Sequence, residues 1–340
     1  MRAAVLTSFG SDLLLQFLPT PTLGTGDIIV EIIATLIVPY LNQVLSGARK
    51  YLLQLPCVPG PAAIGRVNAV GPDATHLKVG DWVFCDPTIR SRDDALVPDI
   101  TLQGLSAREE GGMKLQKYFK NGSFAEQMLL PTENCTAIGE IDECETHGGE
   151  TILISGATGS FGSAAVAVAM AMGAGRVVAP GRNEHALADL QKRFGSLLRT
   201  CVLSGVEDDD RENMMQAAGA LIDCVLDILP PSARPMPVRA AIMAVRPYGR
   251  VVLMGGVGML GGPGLEIPYP WIMRNCITLK GQWMYSVDAP THLARLVRAG
   301  LLDLGQFEIE IFGLENVNKA VEHAVATAGP FRMTVLTPRA

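Results

Sequence analysis

The sequence predicts an α/β protein in two parts, a β-rich first portion followed by a doubly wound parallel sheet covered on both faces. Three observations carry this. The chain has 340 residues, too many for one comfortable core, so two domains are the natural division. From Met1 to about Pro131 short apolar runs are punctuated by Gly and Pro, as in a small irregular β domain. From Glu150 the runs alternate between strand and helix, which implies parallel strands with helical crossovers.

In the first portion, Ala3–Leu6, Asp27–Ile33, Ile64–Val70, Trp82–Phe84 and Ala125–Leu130 read as strands, with few helix-length stretches among them. In the second, Thr151–Ser155, Arg176–Ala179, Ala220–Leu226, Arg250–Met254 and Ile277–Met284 read as strands, and Ser163–Met172 and Glu184–Phe194 as helices. The tail adds helices over Thr291–Ala299 and Glu315–Thr327 and a strand over Arg332–Leu336. These patterns divide the chain at residues 1–135, 136–284 and 285–340.

Composition narrows the function. Hydrophobic residues make up 48% and charged residues 18%, with a formal net charge of −6. Such a chain lacks the basic footprint of a nucleic-acid binder, so no nucleic-acid partner is expected. The run Glu207–Glu212 reads as a solvated loop or helix start. The seven cysteines are scattered and never form C-x-x-C, which argues against a disulfide framework or zinc knuckle. Residues 151–180 are apolar, but glycines at 156, 159, 162, 173 and 175 break them into strand, turn, helix and strand, so no membrane span is expected. Without a signal-peptide pattern at Met1, a cytoplasmic location is expected.

The segment carrying chemistry is the turn Gly156, Ala157, Thr158, Gly159, Ser160, Phe161, Gly162. It follows an apolar strand and opens a helix, where backbone N–H groups and the helix dipole can hold a pyrophosphate and missing side chains let it approach. This is the dinucleotide-binding arrangement of a Rossmann sheet. The end of the next strand is where an NAD site places a carboxylate for the adenine ribose. Here Gly181, Arg182 and Asn183 stand in its place; Arg182 can pair with a 2′-phosphate, so NADP(H) is the expected cofactor. The loop opening with Gly255 and Gly256 adds two further candidate cofactor contacts.

Taken in order, Pro59-Gly-Pro-Ala-Ala-Ile-Gly-Arg-Val67 with Val70-Gly71, Val79-Gly-Asp-Trp-Val83, Gly122-Ser-Phe-Ala-Glu126 and the glycine turn resemble the medium-chain dehydrogenase/reductase superfamily. That group holds zinc alcohol dehydrogenases, quinone oxidoreductases and enoyl reductases. The resemblance implies a GroES-like β domain of residues 1–135 to which 285–340 return, joined to a Rossmann domain of 136–284, and a homodimer formed through the strand 277–284. In zinc members, Gly60 would be followed by a His-Glu pair carrying a metal ligand; here Pro61 and Ala62 stand there. The first-ligand cysteine aligns with Val38, and the structural lobe corresponds to Asp86–Asn121, which has no cysteine. No metal is therefore expected.

Without a Lewis acid, a hydroxyl must serve the oxygen that becomes negative. Aligned on Ser46-Gly47, Tyr40 falls near the position where zinc members keep a Ser or Thr, and Tyr51 is a second candidate in the next loop. The five histidines match no metal spacing, and Trp271, Met273 and Tyr285 could line a substrate cleft, although apolar packing is the commoner fate of such residues. The chain departs from zinc-free members between Pro131 and Glu150, where those carry a longer segment with a helix beneath the nicotinamide; only the short acidic connector 132–149 is found. The implied activity is zinc-independent, NADPH-dependent reduction of an enone, quinone or enoyl C=C bond in a small-molecule substrate. A zinc-free carbonyl reductase and a non-catalytic nucleotide-binding scaffold are the alternatives.

Overall fold

In the computed structural model, residues 1–93, 95–138 and 149–338 are described. The first part contains β1 (Arg2–Val5), β2 (Leu14–Phe17), β3 (Asp27–Ile37), α1 (Leu41–Leu45), β4 (Ala63–Val70), β5 (Trp82–Cys85), β6 (Thr88–Arg90), β7 (Ile100–Leu102), β8 (Ser106–Arg108), α2 (Glu109–Tyr118), β9 (Gln127–Pro131) and β10 (Cys135–Ala137). The second contains β11 (Thr151–Ser155), α3 (Ser160–Ala171), β12 (Arg176–Gly181), α4 (Glu184–Phe194), β13 (Leu198–Val202), α5 (Glu207–Ala218), β14 (Ile222–Asp227), α6 (Met236–Ala244), β15 (Val245–Leu253), α7 (Tyr269–Arg274), β16 (Thr278–Gly281) and α8 (Ala289–Arg298). β17 (Glu308–Gly313), α9 (Val317–Ala326) and β18 (Arg332–Thr337) complete the chain.

Contacts divide the chain into a unit of Met1–Asp142, Phe307–Ala328 and Met333–Ala340 and a second of Glu143–Gln306 and Gly329–Arg332. Both sequence-derived seams therefore move. The first shifts past residue 135 because Thr136 and Ala137 pair with Phe84 and Val83 of β5. The return shifts from 285 to 307, since the chain through Gln306 stays with the second unit and the Gln306 carbonyl accepts from Arg193 Nη1 at 2.6 Å.

The second unit has the strand order β13-β12-β11-β14-β15-β16, all parallel. This is the 3-2-1-4-5-6 order of a Rossmann sheet, and its switch point lies between β11 and β14. The strands are near-continuous apolar runs because helices cover both faces. Leu153, Val178, Val225 and Val251 from four strands join Ile242 and Met214 in one buried core. The acidic run is helical: it opens α5, where carboxylates suit the helix dipole. Asp210 within it is buried and accepts hydrogen bonds from the Ser204 N–H and hydroxyl.

The first unit is built on a sheet ordered β10-β5-β4-β3-β18-β17, with β9 also paired to β3. Ile28, Val30, Ile32, Val67, Val83, Met128 and Leu130 form its core. The lobe 86–121 holds a separate sheet β6-β7-β8 followed by α2, the helix the sequence pattern misses. Gly112 makes this possible: a Cβ there would overlap the Ile100 carbonyl oxygen. The edge strand read over 277–284 is shorter, Thr278–Gly281. Of the connector, Thr132–Asn134 is a 3₁₀ turn leading into β10; residues 139–148, including Cys144 and His147, lie outside the described residues, and with them the proposed shortening. Among the described residues no helix is long and apolar enough to cross a membrane.

Candidate functional site

In the second unit the carboxyl edge at the switch point is made by the glycine turn. β11 ends at Ser155, and Gly156 turns the chain with φ +92°, a conformation side chains rarely adopt. A Cβ on Gly156 would stand 3.1 Å from the Ile228 carbonyl oxygen at the end of β14. Gly159 caps α3 in extended backbone, donating to the Gly156 carbonyl at 3.0 Å and accepting from Ser163 at 2.9 Å. Gly162 is the closest approach: a Cβ there would overlap the Gly156 carbonyl and lie 2.7 Å from Ala157 Cα. The turn is therefore packed against the helix with no room for a side chain at 162, and the positive φ at 156 disfavours one there.

No carboxylate stands in the first turn of α3, so its dipole faces an anion unopposed. Phe161 is exposed there. Ser160 is less available than the sequence suggests, because its hydroxyl donates to the Gly329 carbonyl at 3.0 Å. Its neighbour Ser163 accepts from the Phe331 N–H at 3.0 Å. The two serines hold the segment 329–331 against the helix start.

Gly181 ends β12, buried beside Thr158: a Cβ there would meet Leu187 Cδ2 at 3.0 Å and Thr158 Cγ2 at 3.4 Å. Arg182 follows, exposed. Asn183 is the N-cap of α4, its side chain accepting from the Ala186 N–H, which gives it a structural task that the sequence reading did not anticipate. Gly255 and Gly256 follow β15 on the same edge. A Cβ on Gly255 would overlap the Asp227 carboxylate, and the Gly256 N–H donates to the Leu229 carbonyl at 2.8 Å.

Asp227 and Ser155 are residues the sequence reading missed. They are Cα partners at the ends of β14 and β11. Asp227 is 3% exposed, and burial pushes its carboxyl up to about 6 against the opposing hydrogen bond from Leu229 N–H. The Ser155 hydroxyl is buried without a hydrogen-bond partner among the described residues. The available signal was a polar residue in the last position of each strand, directly after an apolar run, Ile152–Ile154 in β11 and Val225–Leu226 in β14.

In the first unit the structure brings Tyr40 and Tyr51 together through Arg49. The guanidinium carbon lies 3.9 Å from the Tyr40 ring centroid and 5.6 Å from that of Tyr51. Nη1 donates to the Tyr51 hydroxyl at 2.9 Å and Nε to Gln43 Oε1 at 3.1 Å. Tyr40 precedes α1, and its carbonyl accepts from the Gln43 N–H at 3.0 Å. Positive φ at Gly47 and Lys50 turns the loop that carries Arg49 back. Burial, reinforced by Tyr51, pushes the Tyr40 phenol up to about 12 although Arg49 works the other way. Tyr40 is thus a neutral hydrogen-bond donor beside a fixed positive charge.

The positions aligned with zinc ligands carry no donors. Val38 is buried among apolar residues, Pro61 and Ala62 have no ligating side chain, and the Ala62 carbonyl accepts from the Thr35 hydroxyl at 3.0 Å. The lobe 86–121 is organised by hydrogen bonds instead. Asp86 accepts from the Thr88 N–H at 2.8 Å, and Asn134 Nδ2 donates to the carbonyls of Asp86 and Thr88. Among the described residues, no three His, Cys, Asp or Glu side chains gather as metal ligands. Trp271 lies under Arg211 at 4.7 Å and packs on the core of its own unit.

Two domain families match the chain: the alcohol dehydrogenase GroES-like domain over residues 24–140 and the zinc-binding dehydrogenase domain over residues 161–299. An L-threonine 3-dehydrogenase of Streptomyces coelicolor is 27% identical over 331 residues, covering 89% of this chain and 90% of that one. An alcohol dehydrogenase of Geobacillus stearothermophilus is 27% identical over 289 residues, covering 79% and 80%. Among solved structures, a thermostable alcohol dehydrogenase from Pyrobaculum aerophilum superposes with a TM-score of 0.74 at 20% identity over 99% of each chain. The crotonyl-CoA carboxylase/reductase AntE, solved with NADP, superposes with a TM-score of 0.76 at 17% identity over 99% of this chain and 94% of that one.

Proposed function

Because the chain belongs to the medium-chain dehydrogenase/reductase superfamily of oxidoreductases, we propose that it is a zinc-independent reductase that uses NADPH to reduce an activated C=C bond. The substrate class is an enone, a quinone or an enoyl thioester. The observation that carries this reading is the Tyr40–Arg49–Tyr51 cluster, which supplies a neutral donor and a fixed cation in a chain whose metal positions hold Val38, Pro61 and Ala62. Zinc does not fit that donor set, so no step is routed through it.

A nicotinamide nucleotide, when bound, would supply the hydride. Gly159 is exposed and Gly156 and Thr158 are half-buried, so their backbone would meet a pyrophosphate at the start of α3, while Ala157 and Gly162 are buried within the turn. Gly181 carries no carboxylate to repel a 2′-phosphate, and Arg182 supplies the opposite charge. Hydride addition to a β-carbon leaves an enolate whose oxygen needs stabilisation and no immediate proton. A phenol held near 12 beside a guanidinium suits that task. An alkoxide from a ketone would demand full proton transfer, for which such a phenol is a poor acid at neutral pH.

NADPH consumption with a panel of enones, quinones, enoyl thioesters and ketones tests the reading. Turnover is expected with the conjugated acceptors, and NADH is expected to serve poorly. Reduction confined to ketones would leave the C=C assignment without support. Tight NADPH binding with no turnover across the panel would favour a nucleotide-binding scaffold.

A further inference from the structure

Cys85 ends β5 and Cys135 opens β10, and the two are Cα partners in an antiparallel pair. Their position in the ladder follows from the bonds on either side. The Asp86 N–H donates to the Asn134 carbonyl at 2.8 Å, and the Ile138 N–H to the Trp82 carbonyl at 2.9 Å. Hydrogen-bonded pairs alternate with non-bonded ones, so Cys85 and Cys135 occupy a non-bonded pair, where Cα atoms approach to about 4.5 Å and side chains are closest. That spacing lies inside the range of about 4.4–6.8 Å that a disulfide spans. Both thiols are free and buried.

We propose that Cys85 and Cys135 form a modification site of the first unit, a dithiol that closes to a cross-strand disulfide when a peroxide reaches it. One thiolate attacks the peroxide, the O–O bond breaks, and a sulfenic acid and one water result. The partner sulfur then attacks the sulfenic sulfur, the S–S bond forms, and the second water leaves. Two thiols and one hydrogen peroxide thus give one disulfide and two waters, and a dithiol reductant reverses the step.

The neighbouring Cys85 thiol, together with burial, pushes the Cys135 thiol up, which slows attack while the strands are paired. Access comes from β10, which has three residues and lies at the edge of the sheet, where local opening is least costly. Closure would tie that strand to β5 and enclose the lobe sheet, α2 and β9 within one covalent loop. Such a cross-link restricts the unfolded chain more than the folded one.

The test uses the full chain treated with hydrogen peroxide, alkylated under denaturing conditions and mapped by mass spectrometry. The expected product is a peptide pair joined through Cys85 and Cys135, two hydrogens lighter than the free pair and released by dithiothreitol. The melting midpoint is expected to rise on oxidation and return on reduction. Cys85→Ala and Cys135→Ala should each abolish both effects; the peptide map of the unmodified chain decides the matter should either variant misfold. Recovery of both cysteines as alkylated thiols after peroxide, or pairing of either with a different cysteine, would overturn the proposal.

Discussion

The Arg49 guanidinium stacks over the ring of Tyr40 at 3.9 Å while its Nη1 holds the Tyr51 hydroxyl at 2.9 Å. One cation thereby organises two tyrosines that lie eleven positions apart in the sequence. In the proposed function Tyr40 would be the donor and Arg49 would lower the cost of negative charge next to it.

Tyr40→Phe is expected to lower turnover by roughly 10²–10³, the loss typical of one oxyanion donor, with NADPH affinity changed by less than about twofold. Arg49→Gln should act on turnover similarly and remove the charge that opposes the rise of the Tyr40 phenol. Steady-state kinetics beside fluorescence titration of NADPH separate the two effects. A Tyr40→Phe enzyme with unchanged turnover removes the phenol from the mechanism.

Arg182 is expected to contribute on the order of 1.5–3 kcal/mol to 2′-phosphate binding as a charge-assisted contact, roughly ten- to a hundredfold in affinity. Arg182→Ala should therefore erode the preference for NADPH over NADH, and raised salt should do so more gently. Equal or tighter binding of NADH by the unmodified chain would refute NADP selectivity.

Asp227 ties stability to pH. Its carboxyl is raised from 3.8 to about 6 in the folded chain, so the folded state favours the protonated form. That contribution is fully present below about pH 4 and is lost as pH rises through about 6, a change of about 3 kcal/mol for two units. Asp227→Asn should leave the cofactor-free protein more stable than the parent at pH 8 and flatten the slope between pH 4 and 6. Thermal melts across that range check it, and a variant less stable than the parent at pH 8 contradicts the assignment.

A twofold pairing of β16 with its own copy is expected, because Thr278–Gly281 stands at the end of the sheet order with its residues largely exposed and an uncovered parallel edge invites association. Sedimentation at micromolar concentration should find a dimer. A monomer throughout would assign the edge to another cover.

Long periodic elements were legible in the sequence: helix Glu184–Phe194 is found with the bounds its pattern implies, and the alternation after residue 150 becomes the Rossmann order. The lobe was not, since β6, β7 and β8 have three residues each, too few to show a period. Helix α2 carries Gly111 and Gly112, which weaken a helical signal; the need for them comes from the Asp99 side chain and the Ile100 carbonyl packed against them.

The sequence by itself determined the two-part α/β fold, the glycine turn and the residue types at the cofactor and metal positions, because these rest on local conformation and on which atoms a side chain carries. Gly156, Gly159 and Gly162 could be read this way, as a turn between strand and helix whose missing side chains would let a pyrophosphate approach. Only the tertiary structure decided what joins Tyr40 to Tyr51, what buries Asp227 and what aligns Cys85 with Cys135. Those relations depend on loops turned by Gly47 and Lys50 and on strands paired far along the chain, and neither leaves a periodic trace in the residues themselves.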